Sequence, residues 1–322
     1  MLQILLVTFP FFALVLAGYV AARRGYLPIA AIPGLNGFVL YFALPCMLYR
    51  FGSSTPIAQL LDGAVFGVYA LCALVMVAFA ICMTLSQRID WNNASFGALV
   101  AAFPNTGFMG IPLLVALLGP RAAGPAIVTI VVDLVITTSL CIALSRLGSG
   151  QGSAGVAAKN ALKGVASNPM PWAILTGALA SWLEIKLPAP VMQTLGLLAD
   201  SASPVALFTI GAVLARSQMM AQAGHAPPVP VMDYVPVALM KLLLHPLLVL
   251  LVGSAAIKLG LPLDPFALTV IVLVAALPSA SNVSLLAEKF DANNGRIARI
   301  ILVSTVLAFF SFAGAVALIA PR

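Results

Sequence analysis

Charge is what this sequence has least of. Only 8% of its 322 residues are Asp, Glu, Lys or Arg, against roughly 25% in a soluble domain. With 62% hydrophobic residues and a mean hydropathy of +1.11, a water-soluble globular fold is excluded. The chain reads as an integral membrane protein whose first partner is the lipid bilayer. Sixteen Lys and Arg against nine Asp and Glu leave a net charge of +7. The basic residues stand mainly in short stretches between apolar runs, where they set orientation. No nucleic-acid partner is expected.

Histidine and cysteine are nearly as scarce. His225 and His245 stand twenty positions apart, and Cys46, Cys72, Cys82 and Cys141 all fall inside apolar runs with no CxxC pair. No metal-ligand spacing results, and the cysteines read as small buried hydrophobes. The sequence also lacks a GxxxxGK(S/T) loop, a GxSxG elbow and an HExxH motif. Direct ATP coupling is therefore not expected, nor is an enzyme, and no cofactor is implied beyond a coupling proton or sodium ion. The apolar N-terminal run has no basic residues before it and is too long for a signal-peptide core, so it reads as a retained first span.

What the sequence has in abundance is apolar runs, ten of them, at roughly 2–21, 30–49, 64–86, 95–118, 125–145, 170–187, 191–215, 233–257, 265–287 and 297–319. The polar stretch after the fifth divides them into two sets of five: a first repeat over 1–146, a cytoplasmic linker over 147–169 and a second repeat over 170–322. The two halves echo each other. Span four carries VAAFPNTGFMGIPLL and span nine VAALPSASNVSLLAE, while FALPCMLY in span two and DSASPVALF in span seven place Pro45 and Pro204 alike.

Five spans per repeat is an odd number, so the second repeat enters the membrane inverted. Arg23, Arg24, Arg88, Arg146, Lys159, Lys163, Arg216, Lys289, Arg296 and Arg299 lie on one side, and Arg50, Arg121, Lys186, Lys258 and Arg322 on the other. This asymmetry makes the first side cytoplasmic and puts both termini outside. Glu288, Lys289, Asp291, Arg296 and Arg299 read as a solvated cytoplasmic turn.

Proline inside a helix removes a backbone donor and clashes with the carbonyl one turn back. In lipid, the freed groups are tolerated only where protein or a wet cavity satisfies them. Behind Pro104 come Asn105, Thr106 and Gly107; behind Pro278 come Ser279, Ser281 and Asn282. Two breaks at matching places in inverted halves can meet near the midplane. There, opposed half-helix N-termini present N–H groups and partial positive charge to an anion.

Ionisable residues within the spans are costly and usually functional or paired. Asp133 lies near the middle of span five, Lys241 and His245 in span eight, and Asp200 close before Pro204. Burial disfavours the charged form of a carboxylate, which makes Asp133 a candidate proton carrier. A static pair of Asp133 with Lys241, a coupling site, and an unpaired protonated acid all remain open. Asp200 suits a helix end or the mouth of a pathway. His245, just before Pro246, reads as a packed or carbonyl-bonded residue rather than a relay.

The motifs NTGFMGIPLL, LPSASNVSLLAEKF, YFALPCML and ADSASPVALFTIGAVL together resemble the auxin efflux carrier family, over nearly the whole chain. The run from Asn105 to Pro112 is the most specific element. The resemblance implies an all-α membrane fold of ten helices in two inverted five-helix repeats, with helices four and nine broken and crossed, as in bile-acid symporters. It further implies a scaffold domain from spans 1, 2, 6 and 7, a transport domain from spans 3–5 and 8–10, a homodimer, and elevator-type transport of a small organic anion such as malonate or malate. A bacterial inner-membrane location goes with it. The long cytoplasmic loop of plant members is missing here. The other functional reading is a membrane sensor that keeps the transporter fold.

Overall fold

The computed structural model describes residues 2–146, 169–222 and 229–319. The expected linker 147–169 lies outside the described residues except for Pro169, as do Lys159, Lys163, His225 and Arg322. Among the described residues the fold is all-helical. The helices are α1 Leu2–Arg23, α2 Ile29–Ser54, α3 Gly63–Thr84, α4 Trp91–Ala102, α5 Thr106–Leu118 and α6 Pro120–Ser145. They continue with α7 Pro169–Trp182, α8 Ala189–Gln222, α9 Val231–Lys258, α10 Pro265–Ala275, α11 Val283–Lys289 and α12 Asn294–Ile319. Six of them, α2, α3, α6, α8, α9 and α12, are long and apolar enough to cross a membrane. The expected spans four and nine are each divided, into α4 and α5 and into α10 and α11.

Four helices contain one wider π turn: Val39–Ala43 in α2, Thr106–Gly110 in α5, Asp133–Thr137 in α6 and Met240–Leu244 in α9. Three of these end two residues before a proline, namely Pro45, Pro112 and Pro246. The proline cannot donate to the carbonyl four residues back and its ring crowds it. Inserting one residue lets the preceding amide reach five back, as His245 does to the Met240 carbonyl, and the helix continues without breaking. In α6 no proline follows; instead the Asp133 carbonyl accepts both the amide and the hydroxyl of Thr138, the latter at 2.7 Å.

The chain forms two compact units. The first comprises Met1–Asp62, Gly107–Val128 and Asn168–Pro227. Its helices approach closely at glycine. A side chain on Gly18 of α1 would overlap the carbonyl oxygen of Phe208 in α8, and one on Gly211 of α8 would overlap that of Val15. Between α2 and α7, Gly52 and Gly177 meet backbone to backbone, and a side chain on Gly177 would stand 2.8 Å from the carbonyl oxygen of Tyr49. Close approach through small residues is how helices associate where water supplies no driving force. Polar contacts add to it: Arg50 pairs with Asp200 at 2.7 Å, Tyr19 hydrogen-bonds Gln218, and the Ser181 hydroxyl donates to the Thr55 carbonyl at 2.8 Å.

The second unit comprises Gly63–Thr106, Thr129–Ser167 and Pro228–Arg322. All of Ser95–Ala102 in α4 and Val270–Ala275 in α10 is buried, so these two half-helices are apolar all round, as a helix wrapped by others must be.

Candidate functional site

Two half-helices of the second unit end facing each other. Helix α4 starts at an Asp90 cap, whose carboxylate accepts from the Asn93 amide at 2.9 Å, and α10 starts at an Asp264 cap on the Phe266 amide at 3.3 Å. Each stops short of a proline. Pro104 forces Phe103 out of the helical region, to φ −94 and ψ 103. The two extended segments then lie antiparallel and bridge at Pro104 and Ser279. The Asn105 amide donates to the Pro278 carbonyl at 2.8 Å, and the Ala280 amide donates to the Phe103 carbonyl at 2.9 Å. Each break thus supplies the backbone partner that the other lost, as a low-dielectric setting demands. A third strut comes from α12, where the Ser304 hydroxyl accepts from the Ser279 amide at 3.2 Å and donates to the Ile301 carbonyl at 3.0 Å.

The crossing changes which groups are free. The amides of Asn105 and Ala280, next to the breaks, are consumed in joining them. Left over are the amides of Ser281 and Asn282 and the side chains of Asn105, Ser281 and Asn282, none bonded to a described group. The Ser279 hydroxyl is buried without a partner. Asn105, Thr106 and Ser279 are buried, and Ser281 and Asn282 half-buried. Uncharged donors gathered around one crossing suit an anionic group. Gly107 belongs to the first unit, where a side chain would only touch Leu44 at ordinary distance.

Beside the crossing, the same unit holds a buried polar cluster. One Asp133 carboxylate oxygen accepts from Tyr69 at 3.2 Å and the other from Thr137 at 3.3 Å. Lys241 does not reach Asp133 as an ion pair, although the two lie close enough to feel each other's charge. Its ammonium donates instead to the carbonyl of Ala275, the last residue of α10, at 2.8 Å, and stands 3.0 Å from Nδ1 of His245. A cation there meets the negative end of the half-helix and fills a carbonyl that the break leaves without an amide. The His245 ring lies 5.9 Å from that of Tyr69, and its Nε2 is buried without a partner. Asp133, Lys241 and His245 are each fully buried, at 0% exposure. Asp200 is not part of this cluster; it sits in the first unit, paired with Arg50 and largely exposed.

One expectation is overturned. Arg296 is not part of a solvated turn but 2% exposed. Its Nε donates to the Asp233 carbonyl at 2.7 Å and its Nη1 to the Asn93 carbonyl at 2.7 Å, so it ties α12 to the first turns of α9 and α4. Gly97 makes this fit, since a side chain there would stand 2.7 Å from Nη1. The arginine lies one turn inside α12, and its length lets it reach carbonyls on neighbouring helices, which the pattern of charges along one chain does not reveal. Glu288 and Asp291 are exposed and Arg299 half-buried. Sequence reasoning also passed over Tyr69, Thr137 and Ser304. A lone tyrosine in the middle of α3 was a usable signal, whereas nothing singles out Ser304.

The family model described as membrane transport protein matches residues 4–316. A protein of Rhizobium meliloti (strain 1021) named "Putative malonate transporter" is 30% identical over 319 residues, covering 96% of this chain and 94% of that one. The "Uncharacterized transporter YfdV" of Escherichia coli (strain K12) is 27% identical over 291 residues, 88% of this chain and 87% of that one. "Auxin efflux carrier component 3a" of Oryza sativa subsp. japonica is 30% identical over 116 residues, 34% of this chain and 18% of that one. The chain therefore belongs to the membrane transport protein family that includes the auxin efflux carriers, and it is a multi-pass membrane transporter and not an enzyme.

Proposed function

We propose that this transporter is a secondary active carrier of a small organic anion, a mono- or dicarboxylate such as malonate or malate, working by elevator-type alternating access. The observation that carries it is the crossing, where two broken helices satisfy each other's backbone and leave neutral donors unpaired. Asn105, Thr106, Ser279, Ser281 and Asn282 take the carboxylate, and Pro104 and Pro278 keep the helices broken. The malonate in the name of the Rhizobium meliloti relative makes it the first substrate to try.

The working architecture is two inverted five-helix repeats with both termini outside. Supporting it, Pro45 precedes Gly52 by seven residues and Pro204 precedes Gly211 by seven. The contact of Gly177 with the Tyr49 carbonyl also repeats that of Gly18 with the Phe208 carbonyl, Tyr49 and Phe208 each lying four residues after the respective proline. Spans 1, 2, 6 and 7 form the scaffold, through which two copies form a homodimer. Spans 3–5 and 8–10 form the transport domain, although Gly107–Val128 clusters with the first unit. Asp133 binds the coupling proton or sodium ion, with Lys241 as its charge neighbour, unless transport is uniport; no other cofactor is needed.

Radiolabelled malonate and malate uptake into proteoliposomes, with proton and sodium gradients imposed separately, tests this. Accumulation under one gradient, abolished by Asn105→Ala, is the expected result. Failure of folded protein to move either acid under any gradient would overturn it.

A further inference from the structure

The buried cluster poses a question that transport of an anion does not answer. A lysine and an aspartate side by side in a dry interior would attract strongly as an ion pair, yet Lys241 is turned away from Asp133 and forms none with it. Two groups hold it. One is the Ala275 carbonyl at 2.8 Å, on the end of α10. The other is Nδ1 of His245 at 3.0 Å, one helical turn along α9 on the same face. Lys241 in its protonated form only donates, which assigns Nδ1 as the acceptor and the ring proton to Nε2. That N–H is buried and has no partner among the described residues. An unpaired buried N–H is costly, and the hydrogen bond this ring does make is the one Nδ1 offers Lys241.

We propose that His245 is a positioning residue, which holds the Lys241 ammonium on the end of half-helix α10 and off Asp133. Two consequences follow. The break before Pro278 starts at a fixed place, because the last carbonyl of α10 keeps its cation. Asp133 stays unpaired, with only the long contacts to Tyr69 and Thr137, and so stays open to a coupling ion. Without His245 the ammonium has one tether left, and it swings onto the carboxylate. The second consequence rests on the proposed transport function; the first does not.

The test compares His245→Asn, His245→Gln and His245→Leu with Lys241→Met and the Lys241→Met/His245→Leu double variant, each purified in detergent and checked for a single folded species. An asparagine amide oxygen takes the place of Nδ1, whereas a glutamine amide takes that of Nε2. Hydrogen exchange of the amides of Ala276, Leu277, Ser279 and Ala280 reads the break directly. Exchange in His245→Asn should match the parent, and in His245→Gln, His245→Leu and Lys241→Met it should be faster by about tenfold or more. The double variant should be no faster than Lys241→Met, because residues that act as a unit are not additive. Malonate turnover in proteoliposomes should follow the same order, with KM within about twofold of the parent. Equal behaviour of the Asn and Gln variants, parent-like exchange in His245→Leu, or additive effects in the double variant would each overturn the proposal. If His245→Leu does not fold, the Asn and Gln pair decides. If the parent moves no malonate, the transport reading fails on its substrate and hydrogen exchange alone judges His245.

Discussion

The amide of Asn105 donates to the carbonyl of Pro278 over 2.8 Å, so that a residue of one broken helix closes the backbone of the other. With the return bond from Ala280 to Phe103, neither break can be understood from its own half of the chain. Two testable consequences start from this joint.

The side chains of Asn105 and Asn282 have no hydrogen-bond partner among the described residues. Truncating either removes a proposed donor for the anion and leaves the crossing's backbone bonds in place. Asn105→Ala and Asn282→Ala should each abolish malonate uptake while the yield of folded protein stays unchanged. Full uptake by both would remove the crossing as the binding site.

Ser304 is a strut and touches no substrate in this account. Ser304→Ala leaves the Ser279 amide buried and unpaired, a loss of about 1–3 kcal/mol. Thermal unfolding in detergent should show a clear drop, and a parent-like transition would mean that the 3.2 Å bond does not matter.

Asp133 separates coupling from stability. Asp133→Asn keeps an oxygen for Tyr69 or Thr137 and should fold normally, but uptake should no longer respond to the imposed ion gradient. Asp133→Leu strands both donors and should also lower stability, by about 1–3 kcal/mol. Gradient-driven accumulation in the Asn variant would rule Asp133 out as the coupling group.

Glycine contacts in the first unit are steric and should behave so. Gly211→Ala pushes a methyl group into the Val15 carbonyl and should destabilise by about 1–3 kcal/mol or more. Gly37→Ala in α2, with nothing nearby, should be neutral. Comparing the two unfolding temperatures checks this, and equal values would contradict the close approach.

The proposed orientation, with both termini outside, rests on the charge asymmetry between loops. With the four native cysteines replaced, a cysteine at position 2 should react with an impermeant thiol reagent added outside intact cells. Labelling only after the membrane is opened would reverse the topology.

Membrane residence, the helical class, the two broken spans and the residues flanking Pro104 and Pro278 were determined by sequence alone. Apolar run length and proline are local properties, and a bilayer punishes unsatisfied backbone so strongly that a break inside a span must have a purpose. What only the tertiary structure decided is who partners whom. The Asn105 and Ala280 amides are spent on the crossing, Ser304 braces it from α12, and Lys241 turns to Ala275 and His245 instead of Asp133. Arg296, which reads as a surface charge, is buried against carbonyls of two other helices. Apart from Lys241 and His245, which stand one turn apart on α9, these are contacts between residues far apart along the chain. They depend on which faces of packed helices meet, and no periodicity within a single helix records that.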